Sequence, residues 1–169
     1  MFVLGIDPGL TRCGYGVVSS GPRGAMRAVR AGVIETSVSA PVEERLGALH
    51  RELRALLDEE QPSVVVVEKV FYQRNARTAI PVAQASGIAV GLASAAGLEV
   101  RQFTAQQVKL AVTGYGAASK EQVQEMVARL LRLATAPDPP DVADALALAV
   151  TYATVARRDG RLAAAESRA

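Results

Sequence analysis

Four carboxylates stand in this chain where apolar sequence should leave no place for acids. Asp7 closes the run Phe2-Val3-Leu4-Gly5-Ile6, Glu68 closes Val64-Val65-Val66-Val67, and Asp141 and Asp144 open an Ala/Leu-rich segment. An acid ending a buried strand loses its hydration unless a cation compensates it. Several such acids together point to a bound divalent cation, and so to the metal-dependent phosphodiester hydrolysis of a nuclease. His50 is the only histidine and Cys13 the only cysteine, which leaves no Cys/His cluster for zinc and no internal disulfide. Any metal here must be held by oxygen.

The aspartate pair can be placed on its helix. Positions 141, 144, 145, 148, 152 and 155 fall on one helical stripe roughly 100° wide, occupied by Asp141, Asp144, Ala145, Leu148, Tyr152 and Val155. The two acids thus continue the core-facing stripe. A favourable interaction with the helix dipole accounts for Asp141 but not for the inward direction of Asp144. Two like charges three residues apart repel by a few tenths of a kcal/mol unless a cation lies between them. Asp138 before Pro139-Pro140 reads as an N-cap followed by proline in the first turn, a structural role.

The elements that position these acids are legible from periodicity. Phe2–Ile6 reads as a strand, followed by a turn at Pro8-Gly9 and by strands around Gly14–Ser19 and Val29–Thr36, an antiparallel meander. After Pro41, Val42, Leu46, Leu49, Leu53, Leu56 and Leu57 recur at helical spacing. The β-branched run Val64–Val67 is the composition of a strand buried on both faces. A helix leading into it implies a right-handed crossover and a parallel neighbour. If that neighbour is the first strand, Asp7 and Glu68 meet at one sheet edge. From Thr78 to Gly97 the chain is crowded with Ala, Gly and Ser, which suits a closely packed helix or a subunit contact. Val100–Phe103 reads as a last strand and Ala105–Val112 as a short helix bearing Lys109. Ser119 and Gln122 have capping-box spacing for the helix that follows Gly114-Tyr115-Gly116.

A chain of 169 residues fits one domain, expected to span 1–156 with a flexible tail over 157–169. No apolar run approaches a membrane span and no leader is evident at Met1-Phe2-Val3, so a cytoplasmic protein is expected. The net charge of +2 does not by itself imply a nucleic-acid partner, but the charge is uneven. Pro41–Glu60 carries six acids against three arginines, whereas Glu68–Lys120 carries six bases against two acids. All three lysines, Lys69, Lys109 and Lys120, lie in that basic stretch, where ammonium groups would neutralise phosphates as point charges.

Taken in order, Ile6-Asp7-Pro8-Gly9-Leu10-Thr11-Arg12 with Gly14 and Gly16, Glu68-Lys69-Val70-Phe71, Gln107-Val108-Lys109 with Gly114 to Lys120, and Asp141-Val142-Ala143-Asp144-Ala145-Leu146-Ala147 resemble the RuvC family of Holliday-junction resolvases. The resemblance runs from about residue 1 to residue 155. It implies an α/β, RNase H-like fold with a five-stranded mixed sheet flanked by helices. It also implies a homodimeric endonuclease that resolves four-way DNA junctions by paired symmetric nicks in recombination and repair, and a RuvA–RuvB branch-migration complex as partner. The family's acids carry over to Asp7, Glu68, Asp141 and Asp144, its DNA-binding lysines to Lys109 and Lys120, and its aromatic residue at the junction centre to Phe71.

The chemistry suits the residues. Phosphodiester hydrolysis needs an activated water, neutralisation of gathering negative charge and a stabilised leaving oxygen, which two Mg²⁺ ions can supply, with Mn²⁺ as a substitute. Asp7 would be shared by both ions, Glu68 and Asp144 would flank them, and Asp141 would act as ligand or water-orienting base. Phe71 would stack on an unpaired base. Three other readings compete. An actin-like ATPase shares the Asp7-Pro8-Gly9-Leu10-Thr11 turn but needs a second phosphate loop and domain that this chain does not have. An RNase H-fold nuclease acting on structured RNA shares the metal logic. A non-catalytic junction-binding module would have no use for four acids.

Overall fold

Three strands, β1 (Phe2–Asp7), β2 (Arg12–Ser20) and β3 (Met26–Glu35), open the chain as an antiparallel meander. The computed structural model describes residues 1–21, 24–69 and 76–166. Helix α1 (Val42–Glu60) leads to β4 (Val64–Glu68), parallel to β1, and α2 (Ala76–Ala95) leads to β5 (Glu99–Phe103), parallel to β4. Three helices follow: α3 (Ala105–Thr113), α4 (Lys120–Leu131) and α5 (Pro140–Glu166). The sheet order is β3-β2-β1-β4-β5, the five-stranded mixed sheet expected from the sequence. Val64 to Val67 are all buried, as a strand covered on both faces requires.

The two-residue period of the strands divides the core into two layers. Val3, Val18, Val64 and Val66 face α3, α4 and α5, meeting Val108, Val123, Val127 and Leu146. Leu4, Ile6, Val17, Val65 and Val67 face the opposite way, toward Leu49, Leu53 and Leu56 of α1 and Ala85, Ala89 and Ala93 of α2. Each fully buried leucine, Leu49 or Leu53 for example, contributes about 1.5–3 kcal/mol of burial free energy. The acids of α1 lie on its outer side, as its periodicity predicts.

Helix α5 approaches the sheet more closely than large side chains would permit. Gly5 on β1 stands opposite Gly16 on β2, and Asp7 stands opposite Gly14. A Cβ on Gly5 would lie 2.0 Å from the Ala145 carbonyl oxygen, and one on Gly14 would lie 2.2 Å from that of Asp141. A Cβ on Gly16 would lie 2.7 Å from Leu146 Cδ2. The helix therefore rests on bare strand backbone, and small residues on its underside, Ala145 and Ala149, complete the fit.

Helix α5 departs from the sequence reading in two ways. It is not apolar on one stripe only: Val142 to Thr151 are buried apart from Asp144, because α3 and α4 cover the side that the sheet does not. A helix apolar all round is the sequence signature of that central position. The Thr151 hydroxyl, fully buried, donates to the Ala147 carbonyl at 2.8 Å. Asp138 is not the N-cap, since the helix begins at Pro140 and the flanking position is Pro139. At its other end the helix runs on to Glu166.

Candidate active site

Asp7 and Glu68 are brought together by strand register. Ile6 pairs with Val67 across the parallel β1–β4 ladder, so the next residue on each strand emerges at the same sheet edge. Alternation places Asp7 on the face of Val3 and Gly5, and Glu68 on the face of Val64 and Val66. That is the face on which α5 lies. The contact between Gly14 and the Asp141 backbone seats the first turn of α5 beside Asp7, and Asp144 follows one turn along. Asp7, Glu68 and Asp144 line a cleft of about 200 Å³ with Lys109 and Lys120, against apolar walls of Val108, Val123 and Leu148.

The lysines are set by helix ends. Thr104 Oγ1 accepts from Gln107 N at 3.1 Å while Gln107 Oε1 accepts from Thr104 N at 2.9 Å, a capping box that starts α3 and orients Lys109. Ser119 and Gln122 form the second box, at 3.2 and 2.8 Å, as their spacing predicts. Each cap stabilises its helix by about 1 kcal/mol. Lys120 is the first residue of α4, where the helix dipole disfavours a cation. Its compensation is Asp144, whose Oδ2 accepts from Lys120 Nζ at 3.3 Å.

The electrostatics record an excess of negative charge. The Asp7 carboxyl is raised from 3.8 to about 7, first by burial, then by repulsion from Glu68, Asp144 and Asp141, with Lys120 opposing. Glu68 is raised by burial and by Asp144, against a hydrogen bond with Asp7 and the attraction of Lys120. Lys120 is raised mainly by Asp144. Cys13, buried, has its thiol pushed up to about 12 by desolvation, the profile of an inert core residue rather than a nucleophile.

The four acids are neighbours without forming a ready-made ion cage. Among the described residues, no group of three or more Asp, Glu, His or Cys side chains is placed to hold a metal. Two of the acids are paired with cations: Asp141 Oδ2 accepts from Arg12 Nε at 3.0 Å, and Asp144 faces Lys120. The donor set nonetheless fits a hard divalent cation: it is all oxygen, and the raised Asp7 carboxyl marks charge that such an ion would relieve. Ligation by all four requires Asp141 and Asp144 to present an oxygen away from their cationic partners.

Sequence reading singled out Asp7, Glu68, Asp144, Lys109 and Lys120, and the fold gathers them into one cleft. Asp141 stands at its margin on Arg12. Phe71 and Tyr72 lie outside the described residues. Sequence reading missed the glycines under α5 and the role of Arg12, whose side chain bridges Asp141 and Glu35. Gly5, Gly14 and Gly16 carried a signal, being glycines at two-residue spacing within strands, which mark close backbone approach. Arg12 carried none, because its partners are remote in the chain.

Comparison with known proteins bears on this architecture. The family described as Crossover junction endodeoxyribonuclease RuvC matches residues 3–152. The crossover junction endodeoxyribonuclease RuvC of Leifsonia xyli subsp. xyli is 52% identical over 151 residues, covering 89% of this chain and 73% of the relative. The structure of Thermus thermophilus RuvC superposes with a TM-score of 0.87 at 40% identity, covering 94% of this chain and 97% of the other. The same organism's RuvC in complex with Holliday junction substrate gives 0.85 at 37% identity, over 94% and 96% of the two chains. With its RNase H-like sheet and with acids and lysines converging at one edge, this chain belongs to the crossover junction endodeoxyribonuclease RuvC family.

Proposed function

We propose that this protein resolves four-way DNA junctions by metal-dependent hydrolysis of phosphodiester bonds at the cleft that Asp7, Glu68 and Asp144 share with Lys109 and Lys120. The observation that carries this reading is the convergence of Asp7, Glu68 and Asp144 with Lys109 and Lys120 in one cleft. Such a cluster carries an electrostatic cost that a bound cation relieves. The solved complex of Thermus thermophilus RuvC with Holliday junction substrate supports the choice of DNA.

Divalent ions, Mg²⁺ with Mn²⁺ as substitute, would neutralise the reacting phosphate and lower the pKa of a bound water. Asp7, Glu68, Asp144 and Asp141 would hold them, Asp7 at the centre because it feels the other three. Burial and the neighbouring acids push the Asp7 carboxyl up to about 7, so cation binding there is expected to strengthen as pH rises. Lys109 enters no ion pair among the described residues, and Lys120 has only Asp144. Both are available for backbone phosphates, Lys120 exchanging a carboxylate for one. The apolar walls at Val108, Val123 and Leu148 keep the carboxylates partly dry and their charges effective.

Two like nicks across a two-fold junction need two copies of this cleft, so the working unit is a symmetric homodimer. Its contact falls on the outer face of α2, where Gly87 and Gly91 have no atom within 4 Å of a built Cβ and Ile80 is exposed. Each copy acts as a single nuclease domain. A RuvA–RuvB branch-migration complex is the partner, Phe71 acts at the junction centre, and the setting is the cytoplasm. Among the described residues no helix is long and apolar enough to cross a membrane.

The test is cleavage of a labelled synthetic four-way junction with Mg²⁺, beside linear duplex and an RNA–DNA hybrid, with Asp7→Asn as control. Paired symmetric nicks confined to the junction, lost in Asp7→Asn while junction binding persists, are expected. Preferential cutting of the hybrid, or undiminished cutting by the variant, refutes the reading.

A further inference from the structure

The loop that joins Asp7 to β2 is held from three sides. Thr36 donates from its backbone to the Thr11 carbonyl at 3.1 Å and from its hydroxyl to the Leu10 carbonyl at 2.5 Å. Arg45 of α1 donates to the hydroxyls of Thr11 at 2.7 Å and Thr36 at 2.9 Å. Gly9 curls so tightly that a Cβ there would lie 2.2 Å from the Arg12 carbonyl oxygen. The loop therefore delivers Arg12 to the start of β2 with little backbone freedom.

From that position the Arg12 side chain spans two elements. Its Nη1 donates to Glu35 Oε1 at 2.6 Å, and Glu35 is also its cross-strand partner on β3. Its Nε donates to Asp141 Oδ2 at 3.0 Å, in the first turn of α5. A guanidinium fork engaged at both ends keeps one orientation better than a single surface pair would. It uses one oxygen of Asp141 and leaves Oδ1 without a hydrogen bond among the described residues. A carboxylate fixed through one oxygen and open at the other is how an outer hydrogen bond orients a metal ligand.

We propose that Arg12, itself held by Glu35, is a positioning residue that aims Asp141 Oδ1 at the cation held by Asp7, and so sets the affinity of the site for its divalent ion. The inference rests on the junction-nuclease reading and extends it to residues that no role has yet been given. Arg12 acts through Asp141 and does not touch the reacting phosphate. Its positive charge disfavours a neighbouring cation, but at 41% side-chain exposure the surrounding water weakens that repulsion. Orientation outweighs it.

The experiment measures two things on the full-length protein: the Mg²⁺ concentration at half-maximal thermal stabilisation without DNA, and kcat and KM for a four-way junction at saturating Mg²⁺. Arg12→Ala is expected to raise the Mg²⁺ midpoint by roughly 10- to 100-fold, while kcat and KM at saturating Mg²⁺ stay near wild type. Arg12→Lys keeps the charge but not the fork and recovers part of the loss. Glu35→Gln moves the midpoint in the same direction by less. An unchanged midpoint in Arg12→Ala overturns the proposal. A lower midpoint shows that Arg12 merely competes with the ion. A raised KM with unchanged kcat shows a phosphate contact instead. Either of these also overturns it. The two readings fail separately, because a wild-type protein that does not cut the junction refutes the nuclease assignment, whereas a cutting wild type with an indifferent Arg12→Ala variant refutes only the positioning role.

Discussion

Replacing Asp7 by Asn should make the metal-free protein more stable, and more so at alkaline than at acid pH. In the unfolded chain this carboxyl ionises near 3.8, and in the folded protein near 7. The folded state holds the proton more tightly, so its stability is fully present below 3.8 and falls as pH rises through 7. A shift of about three units at roughly 1.4 kcal/mol each sets a ceiling of about 4 kcal/mol. Movement of Lys120 toward the ionised carboxylate relieves part of this, and about 1–3 kcal/mol is expected to remain at pH 8. For a chain of this size that corresponds to roughly 2–10 °C in Tm. The assay is thermal unfolding followed by circular dichroism in EDTA, wild type beside Asp7→Asn, at pH 5 and pH 8. The variant should gain at pH 8 and gain much less at pH 5. Excess Mg²⁺ at pH 8 should raise the wild-type Tm and leave that of the variant nearly unmoved. A variant no more stable than wild type at pH 8, or equally stabilised at both pH values, would show that Asp7 is not under electrostatic stress.

Gly5→Ala should destabilise the fold by about 3 kcal/mol or more, since its Cβ would lie 2.0 Å from the Ala145 backbone oxygen and no side-chain motion can relieve a backbone clash. Urea unfolding reads this directly, and a loss under 1 kcal/mol would mean that α5 does not rest on bare strand backbone. Lys109→Ala should weaken junction binding. The plot of log binding constant against log salt should flatten by about 0.9, the release of one phosphate contact. An unchanged slope would remove Lys109 from the DNA surface.

How much of this was legible beforehand differs from element to element. The β-branched run Val64–Val67 could only be a strand covered on both faces, and it is one. Ser119 and Gln122 carried their capping box in their spacing, because a cap is a local interaction. Helix α5 was harder. Its aspartates are half-buried, Asp144 on Lys120 and Asp141 on Arg12, and a repeat of Ala, Leu and Val on every side reads as one stripe only until α3 and α4 are seen to enclose it. Asp138 was misread as a cap because tandem prolines leave it open which residue begins the helix.

Chain order and side-chain chemistry were thus enough to mark most of the secondary structure, a parallel neighbour for β4, and four acids with two lysines as the candidate chemistry of the site. What only the tertiary structure decided is how those groups stand toward one another. Register puts Asp7 beside Glu68, and bare glycine backbone lets α5 lower Asp141 and Asp144 onto them. The raised carboxyl of Asp7 and the hold of Arg12 on Asp141 and Glu35 follow from charges contributed by elements far apart in the chain. Hydrophobic period and capping are local and can be read along a sequence. Coulombic coupling and backbone contact depend on distance in space, and only the folded chain sets that distance.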